Sequence, residues 1–256
     1  MESATVQRLN ALTREFYDQH AEAFADSRPR LAAGVRRVLA QVLAGARVLE
    51  VGCGDGKTAR WLARHAAPAF YLGVDGSEGM LERARRYSAA DVAAQAGRQP
   101  PPAFRLSADA FVCGDVTASD WTAALGALPF DVILAFAVFH HLPGFETRAR
   151  LMCELAGRLR PGGCMAMSNW QFLRSRRLEG HVVPWATLGL KEADVEPGDY
   201  LLSWERRGRR GLRYVHLLGE AEARQLARQA GLQVLEVFSA DGVSGDLAEY
   251  VVLGTV

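Results

Sequence analysis

The feature that most constrains this chain is a glycine-rich turn directly after a short apolar run, Val48-Leu-Glu-Val-Gly-Cys-Gly-Asp-Gly56. A β-rich run of this length reads as a buried strand, and a helical pattern follows from about Lys57 to His65. Glycines at the bend allow backbone angles closed to other residues and let a ligand approach the main chain. The spacing is Gly-x-Gly-x-Gly, whereas dinucleotide-binding turns carry Gly-x-Gly-x-x-Gly. Glu50, two residues before the first glycine, is an awkward neighbour for a pyrophosphate and a good one for a cationic ligand.

The rest of the chain repeats that unit. Phe70 to Val74 is a second apolar run and ends at Asp75, after which Ser77 can N-cap a helix from Glu78 to about Ser88. Phe111-Val-Cys113 is a third strand, ending in Gly114-Asp115. Phe130 to Phe136 is a fourth, apolar throughout after Asp131, as expected for a strand covered on both faces. A helix from about Phe145 to Leu159 stops at Arg160-Pro-Gly-Gly163, and Cys164 to Ser168 is a fifth strand. Strand and helix alternation of this kind predicts a parallel α/β sheet. Residues 170–216 break the pattern with Trp170, Trp185, Trp204 and clustered arginines, and read as an insertion. A helix from about Glu220 to Ala230 and two strands, Leu232 to Phe238 and Glu249 to Leu253, close the chain as a hairpin. Residues 5–43 read as helical with a break at Ser27-Arg28-Pro29.

In open α/β sheets ligands bind at the carboxyl ends of the strands, where Glu50, Asp75 and Asp115 fall. Asp75 lies 19 residues past Gly56, where a carboxylate can take both ribose hydroxyls. Asp115 is placed to accept from an adenine amino group. A ribose, an adenine and a positive charge without phosphate describe S-adenosylmethionine. Singly, Asp75 also reads as a helix cap and Asp115 as a turn residue; the set carries the inference.

As a set these pieces resemble the class I S-adenosylmethionine-dependent methyltransferases. The matching segments are Glu50-Val-Gly-Cys-Gly-Asp-Gly56, Gly73-Val-Asp-Gly-Ser-Glu-Gly-Met80, Gly114-Asp115, Phe130 to Leu142 and Leu159-Arg-Pro-Gly-Gly163, in the expected order. The resemblance implies a Rossmann-like, seven-stranded, mostly parallel sheet with helices on both faces and a reversed C-terminal β-hairpin. It also implies that Gly52, Cys53, Gly54, Gly56 and Gly76 line the cofactor, with Asp75 on the ribose, Asp115 and Val116 on the adenine, and Phe136 beside them. Residues 1–44 are then an N-terminal helical lid, and 45–256 are the methyltransferase domain with a substrate-facing insertion at 170–216; Tyr17 reads either as helix packing or as a lid residue whose ring faces the sulfonium.

The flanks, Phe16-Tyr-Asp-Gln-His20 through Arg28 and the segments around Trp170, Ser175-Arg-Arg177, Val183-Pro-Trp185 and Arg213-Tyr-Val-His-Leu217, are similar to the tRNA wobble-uridine carboxymethyl methyltransferases. That family usually has a second tyrosine where Val215 stands. The resemblance implies a tRNA carboxylate as acceptor and, from the eukaryotic members, a small activator subunit. A carboxylate is ionised at neutral pH and needs no base; it needs a cation, and Arg28, Arg176, Arg177 and Arg213 are candidates, since guanidinium forks match carboxylates. The alternative is a small-molecule O- or N-methyltransferase with His140 or His141 as base.

Composition sets the limits. A net charge of +1 advertises neither nucleic acid nor membrane. No apolar run reaches the roughly 20 residues of a spanning helix. Cys53, Cys113, Cys153 and Cys164 have no metal-ligand spacing, so no metal is expected. The N-terminus shows no basic and apolar leader pattern, which makes the cytoplasm the expected compartment.

Overall fold

The computed structural model describes residues 1–26, 30–94, 106–127, 129–206 and 208–255. Seven strands form the main sheet in the order β3-β2-β1-β4-β5-β10-β9. Five are parallel: β1 (Arg47–Val51), β2 (Phe70–Asp75), β3 (Phe111–Cys113), β4 (Phe130–Phe136) and β5 (Leu159–Trp170). The last two, β9 (Leu232–Ala240) and β10 (Ala248–Thr255), form the reversed hairpin, with β10 antiparallel to β5. Four of the five residues of β1 are buried, and β4 is buried from Val132 to Ala135. Both apolar runs are therefore covered on two faces, which is why they lack polar alternation.

Helices cover each face. α5 (Phe145–Ala156) and α7 (Glu220–Gln229) enclose one apolar core with Leu49, Ile133, Met165 and Val251. On the other side α2 (Ala33–Leu39), α3 (Lys57–His65) and α4 (Glu78–Ala94) enclose a second, with Val48, Leu134, Ala166 and Tyr250. Ser77 caps α4 through a bond from the Met80 amide at 3.4 Å. One boundary differs from the sequence reading. Arg160-Pro-Gly-Gly163 does not end a helix before a separate strand: it lies inside β5, whose ladder skips from Phe130↔Leu159 to Val132↔Cys164. The proline lacks a donor and Gly162 has φ +76°, so the extra residues bulge out and pairing resumes beyond them.

The stretch 170–216 folds into a second sheet, β6 (Val182–Val183), β7 (Asp199–Arg206) and β8 (Arg209–His216), preceded by the short α6 (Arg176–Glu179). It packs against α1 (Ser3–Asp26), burying Leu9, Trp185, Leu201 and Tyr214 together. Gly211 permits the close approach: a Cβ there would fall 2.8 Å from the Phe16 ring.

A buried ionic cluster braces this small sheet to the main one. Arg148 of α5, 1% exposed, donates to Glu222 of α7 at 2.7 Å and to Glu196 at 2.9 Å. His216 bridges Asp199 and Glu222, each at 2.7 Å, and the Tyr214 hydroxyl donates to Asp199 at 2.6 Å. Glu196, Asp199 and His216 come close enough to suggest a cation site, but arginine, tyrosine and backbone donors already engage them. Burial pulls the His216 imidazole down, yet its bonds to Asp199 and Glu222 outweigh this, and its pKa stands above the ordinary 6.5. Burial pushes Glu222 up, but His216 and Arg148 outweigh it, and its pKa stands below 4.5. By linkage, the His216 contribution to stability is complete below about pH 6.5 and is lost as pH rises through the higher folded value. The Glu222 contribution is complete above its unfolded value and lost as pH falls through the lower folded one. Thermal unfolding followed from pH 5 to 9 should show a decline in Tm on the alkaline side that His216→Gln flattens; parallel curves for the two proteins would remove His216 from the brace.

Candidate active site

A cavity of about 600 Å³ lies over the C-terminal ends of the strands. That is mid-range for a small-molecule site, roughly 300–1,000 Å³.

One end is built by the glycine turn. Gly52 and Gly54 adopt left-handed φ of +70° and +54°. The amides of Gly52 and Cys53 donate to the Val74 carbonyl at 2.7 and 3.1 Å, which folds the turn back over β2. A Cβ on Gly52 would fall 2.5 Å from Val138. Asp75 accepts from the amides of Gly54 at 2.8 Å and Ser77 at 2.9 Å, stapling two loops together at the cavity wall. Burial pushes its carboxyl up, against the two backbone donors that pull it down. Asp115 accepts from the Thr117 amide at 2.9 Å, and its other oxygen pairs with Arg14. Gly76 and Val116 line the same end.

α1 crosses this opening. Asn10, Thr13, Arg14 and Tyr17 line the cavity, and their spacing of three and four puts them on one helix face. Tyr17 reaches the other end of the cavity, where its hydroxyl lies 2.8 Å from His141 Nε2. His141 Nδ1 lies 3.2 Å from the Tyr214 carbonyl, which can only accept, so Nδ1 carries the proton and Nε2 receives the Tyr17 O–H. His140 is the opposite tautomer, because its Nδ1 accepts from the Trp170 amide at 3.2 Å. Beside them Arg213, 5% exposed, stands 4.7 Å from the Trp170 ring centroid and 5.6 Å from that of Phe16. Burial lowers its pKa, while a hydrogen bond to Tyr17 raises it; a guanidinium stays cationic at neutral pH all the same.

Of the residues singled out from sequence, Tyr17, Gly52, Gly54, Asp75, Gly76, Asp115, Val116, Phe136, His140, His141 and Arg213 line this one cavity. Glu50, Cys53, Gly56 and Arg176 are not part of its wall. Glu50 is buried under the strand ends, where it accepts from the hydroxyl of Tyr71. Desolvation pushes its pKa up to about 8. Cys53 is buried with its sulfur toward Gly73, and a Cβ on Gly56 would meet Ala84 and Phe111 at 3.1 Å. Arg176 points to solvent, and its neighbour Arg177 lines the cavity instead. Arg28 lies outside the described residues, as does Arg207 of the arginine cluster. Trp185 is consumed by the core and Trp204 packs on Phe16 and His20, which leaves Trp170 as the cavity-facing tryptophan of the three. Sequence reasoning missed Arg14, Asp241 and Tyr250, which also line the wall. The spacing of Arg14 from Tyr17 was the available signal for the first; the other two are brought in by the C-terminal hairpin and had none.

Carboxylates at the ends of β2 and β3, beside a backbone turn of left-handed glycines, fit a ribose and an amino-bearing base better than a phosphate. With the strand order above, the fold is the Rossmann-like one found in solved methyltransferases. Residues 49–165 match the family model described as a methyltransferase domain. It is 36% identical over 146 residues to the trans-aconitate 2-methyltransferase of Methylobacterium nodulans. That match takes in 56% of this chain and only 45% of the relative's length. In solved structures it resembles the CcbJ methyltransferase of Streptomyces caelestis, with TM-score 0.62 and 20% identity, covering 95% of this chain and 98% of the other. It also resembles the magnesium protoporphyrin IX methyltransferase of Synechocystis with bound S-adenosylmethionine, with TM-score 0.57 and 14% identity, covering 96% and 97%. These likenesses establish the fold. Among the described residues no helix is long and apolar enough to cross a membrane.

Proposed function

We propose that this chain transfers methyl from S-adenosylmethionine to a carboxylate, forming a methyl ester. The observation that carries the reading is Arg213, a buried guanidinium at the cavity wall, oriented by Trp170, Phe16 and Tyr17. A guanidinium so placed can hold a carboxylate by charge-assisted hydrogen bonds. Asp75, Asp115 and the Gly52–Gly54 turn would hold the cofactor, which when bound supplies an electrophilic methyl on a sulfonium. The carboxylate oxygen takes the methyl, the bonding pair stays on sulfur, and no proton moves. Residues 1–44 act as a lid in this reading, since one face of α1 roofs the cavity.

The histidine pair supports the same choice. His140 and His141 are each committed by a backbone partner, and the remaining lone pair of His141 accepts a hydrogen bond from the Tyr17 hydroxyl. Neither is arranged as a base for a hydroxyl or amine acceptor, so the sequence alternative of a histidine base is weaker than a pre-ionised acceptor. The named relative acts on a small acid, which agrees in chemistry. The tRNA carboxymethyl group implied by the flanks presents the same functional group to Arg213.

The test is transfer of tritiated methyl to a panel of organic acids and, in parallel, to bulk tRNA. Label released as methanol by mild base is expected, with a rate that stays level down to about pH 6 because no group near pH 6.5 acts as base. Label that survives base would be an ether or amine and would overturn the carboxylate reading. The activator subunit implied by the flanks would show as label appearing only when cell extract is added.

A further inference from the structure

The apolar lining of the cavity says more about the acceptor than the charge of Arg213. Val35, Phe136, Trp170, Leu178, Leu247 and Tyr250 line the cavity. Polar groups of the same lining are already engaged. The Tyr250 hydroxyl donates to Asp241 at 2.6 Å, and the other Asp241 oxygen accepts from the Gly34 amide at 3.0 Å. Ser168 accepts from the Ala137 amide at 3.1 Å. The Tyr250 ring is fixed by stacking on Phe238, with centroids 4.9 Å apart and planes within 6°. Tyr250 itself is packed into the core at 1% exposure, and Asp241 and Ser168 each already hold hydrogen bonds within the protein. Hydroxyl-rich or multiply charged bodies laid on this wall would lose water without gaining partners. Arg30 and Arg177 also line the cavity, but both are exposed, and water screens their charge.

We infer that the acceptor is a monocarboxylic acid with an apolar or aromatic body, its carboxylate on Arg213 and its body on the apolar lining of Val35, Phe136 and Leu247. This rests on the carboxylate reading and narrows it, and it differs from the tricarboxylic acid in the relative's name.

Binding separates the two claims. Calorimetry on protein loaded with S-adenosylhomocysteine would compare straight-chain acids of four to eight carbons, 3-phenylpropionate, trans-aconitate and tRNA. Kd should fall about fourfold per added methylene until the wall is covered, and 3-phenylpropionate should bind more tightly than trans-aconitate. Val35→Thr, nearly isosteric, should raise Kd for the longer acids several-fold and leave S-adenosylhomocysteine binding unchanged. A Kd flat along the series, tighter binding of trans-aconitate, or binding of tRNA alone would overturn the inference. If acids bind in the expected order but no base-labile ester forms with methyl donor, the transfer reading fails and this wall's selectivity stands.

Discussion

Arg213→Ala is expected to lower kcat/KM for the acceptor about a hundredfold, ~2.7 kcal/mol of transition-state stabilisation. The cause is loss of position more than loss of charge. Tyr17, Trp170 and Phe16 fix the guanidinium before any acceptor arrives, and in-line displacement is intolerant of small misplacements, since 1 Å can cost roughly a hundredfold. In the proposed site the cofactor would lie over the ends of β1, β2 and β3, so its Kd should change by less than twofold. Arg213→Lys should recover only part of the rate, because an ammonium keeps the charge and loses the planar fork. Equal losses of cofactor affinity and turnover would instead make Arg213 a prop for α1, whose Phe16 it touches. The readout is steady-state kinetics beside calorimetric cofactor binding on the same preparation.

Asp75→Ala should weaken S-adenosylmethionine binding at least tenfold and more than Asp115→Ala does. Asp75 has two tasks. Its oxygens hold the amides of Gly54 and Ser77, which shapes both loops, and its exposed edge faces the cavity, where ribose hydroxyls can donate to it. Removing it leaves two buried amides without acceptors, and each hydrogen bond to a charged group is worth ~1.5–3 kcal/mol. Asp115 lies partly open to solvent with Arg14 already on it, so its loss is cushioned by water. Asp75→Asn tests the division of labour: one amide oxygen can still accept from a loop but cannot serve both loops and a ribose. An unchanged Kd for Asp75→Ala would take Asp75 out of the site. A loss of cofactor affinity accompanied by an equal fall in Tm would make it purely a loop staple.

Much of the architecture is legible locally. β1, β2 and β4 are short apolar runs that need no partner to be recognised, and the turn at 52–56 declares itself through glycine spacing. Asp75 and Asp115 are readable because a strand end is a local event and the crevice of such a sheet always lies there. The bulge in β5 escaped notice because Pro-Gly-Gly is the same signal whether a chain leaves a helix or loops out of a ladder. Which ladder it rejoined depended on β4, distant in sequence.

The sequence by itself determined the alternation of strands and helices, the glycine turn, the two carboxylates that follow it and hence the class of cofactor. These are set by periodicity and backbone freedom within a few residues. Tertiary structure alone decided which charges count. It buried Glu50 beside Tyr71, where desolvation raises its pKa, and turned Arg177 to the cavity and Arg176 to water, neighbours that point about 100° apart on a helix. It also brought Arg213 of β8, Asp241 of the β9–β10 turn and Tyr250 of β10 to one cavity. The physical reason is that a side chain's charge state and direction depend on desolvation and packing by residues far away in the chain, and no local pattern encodes those.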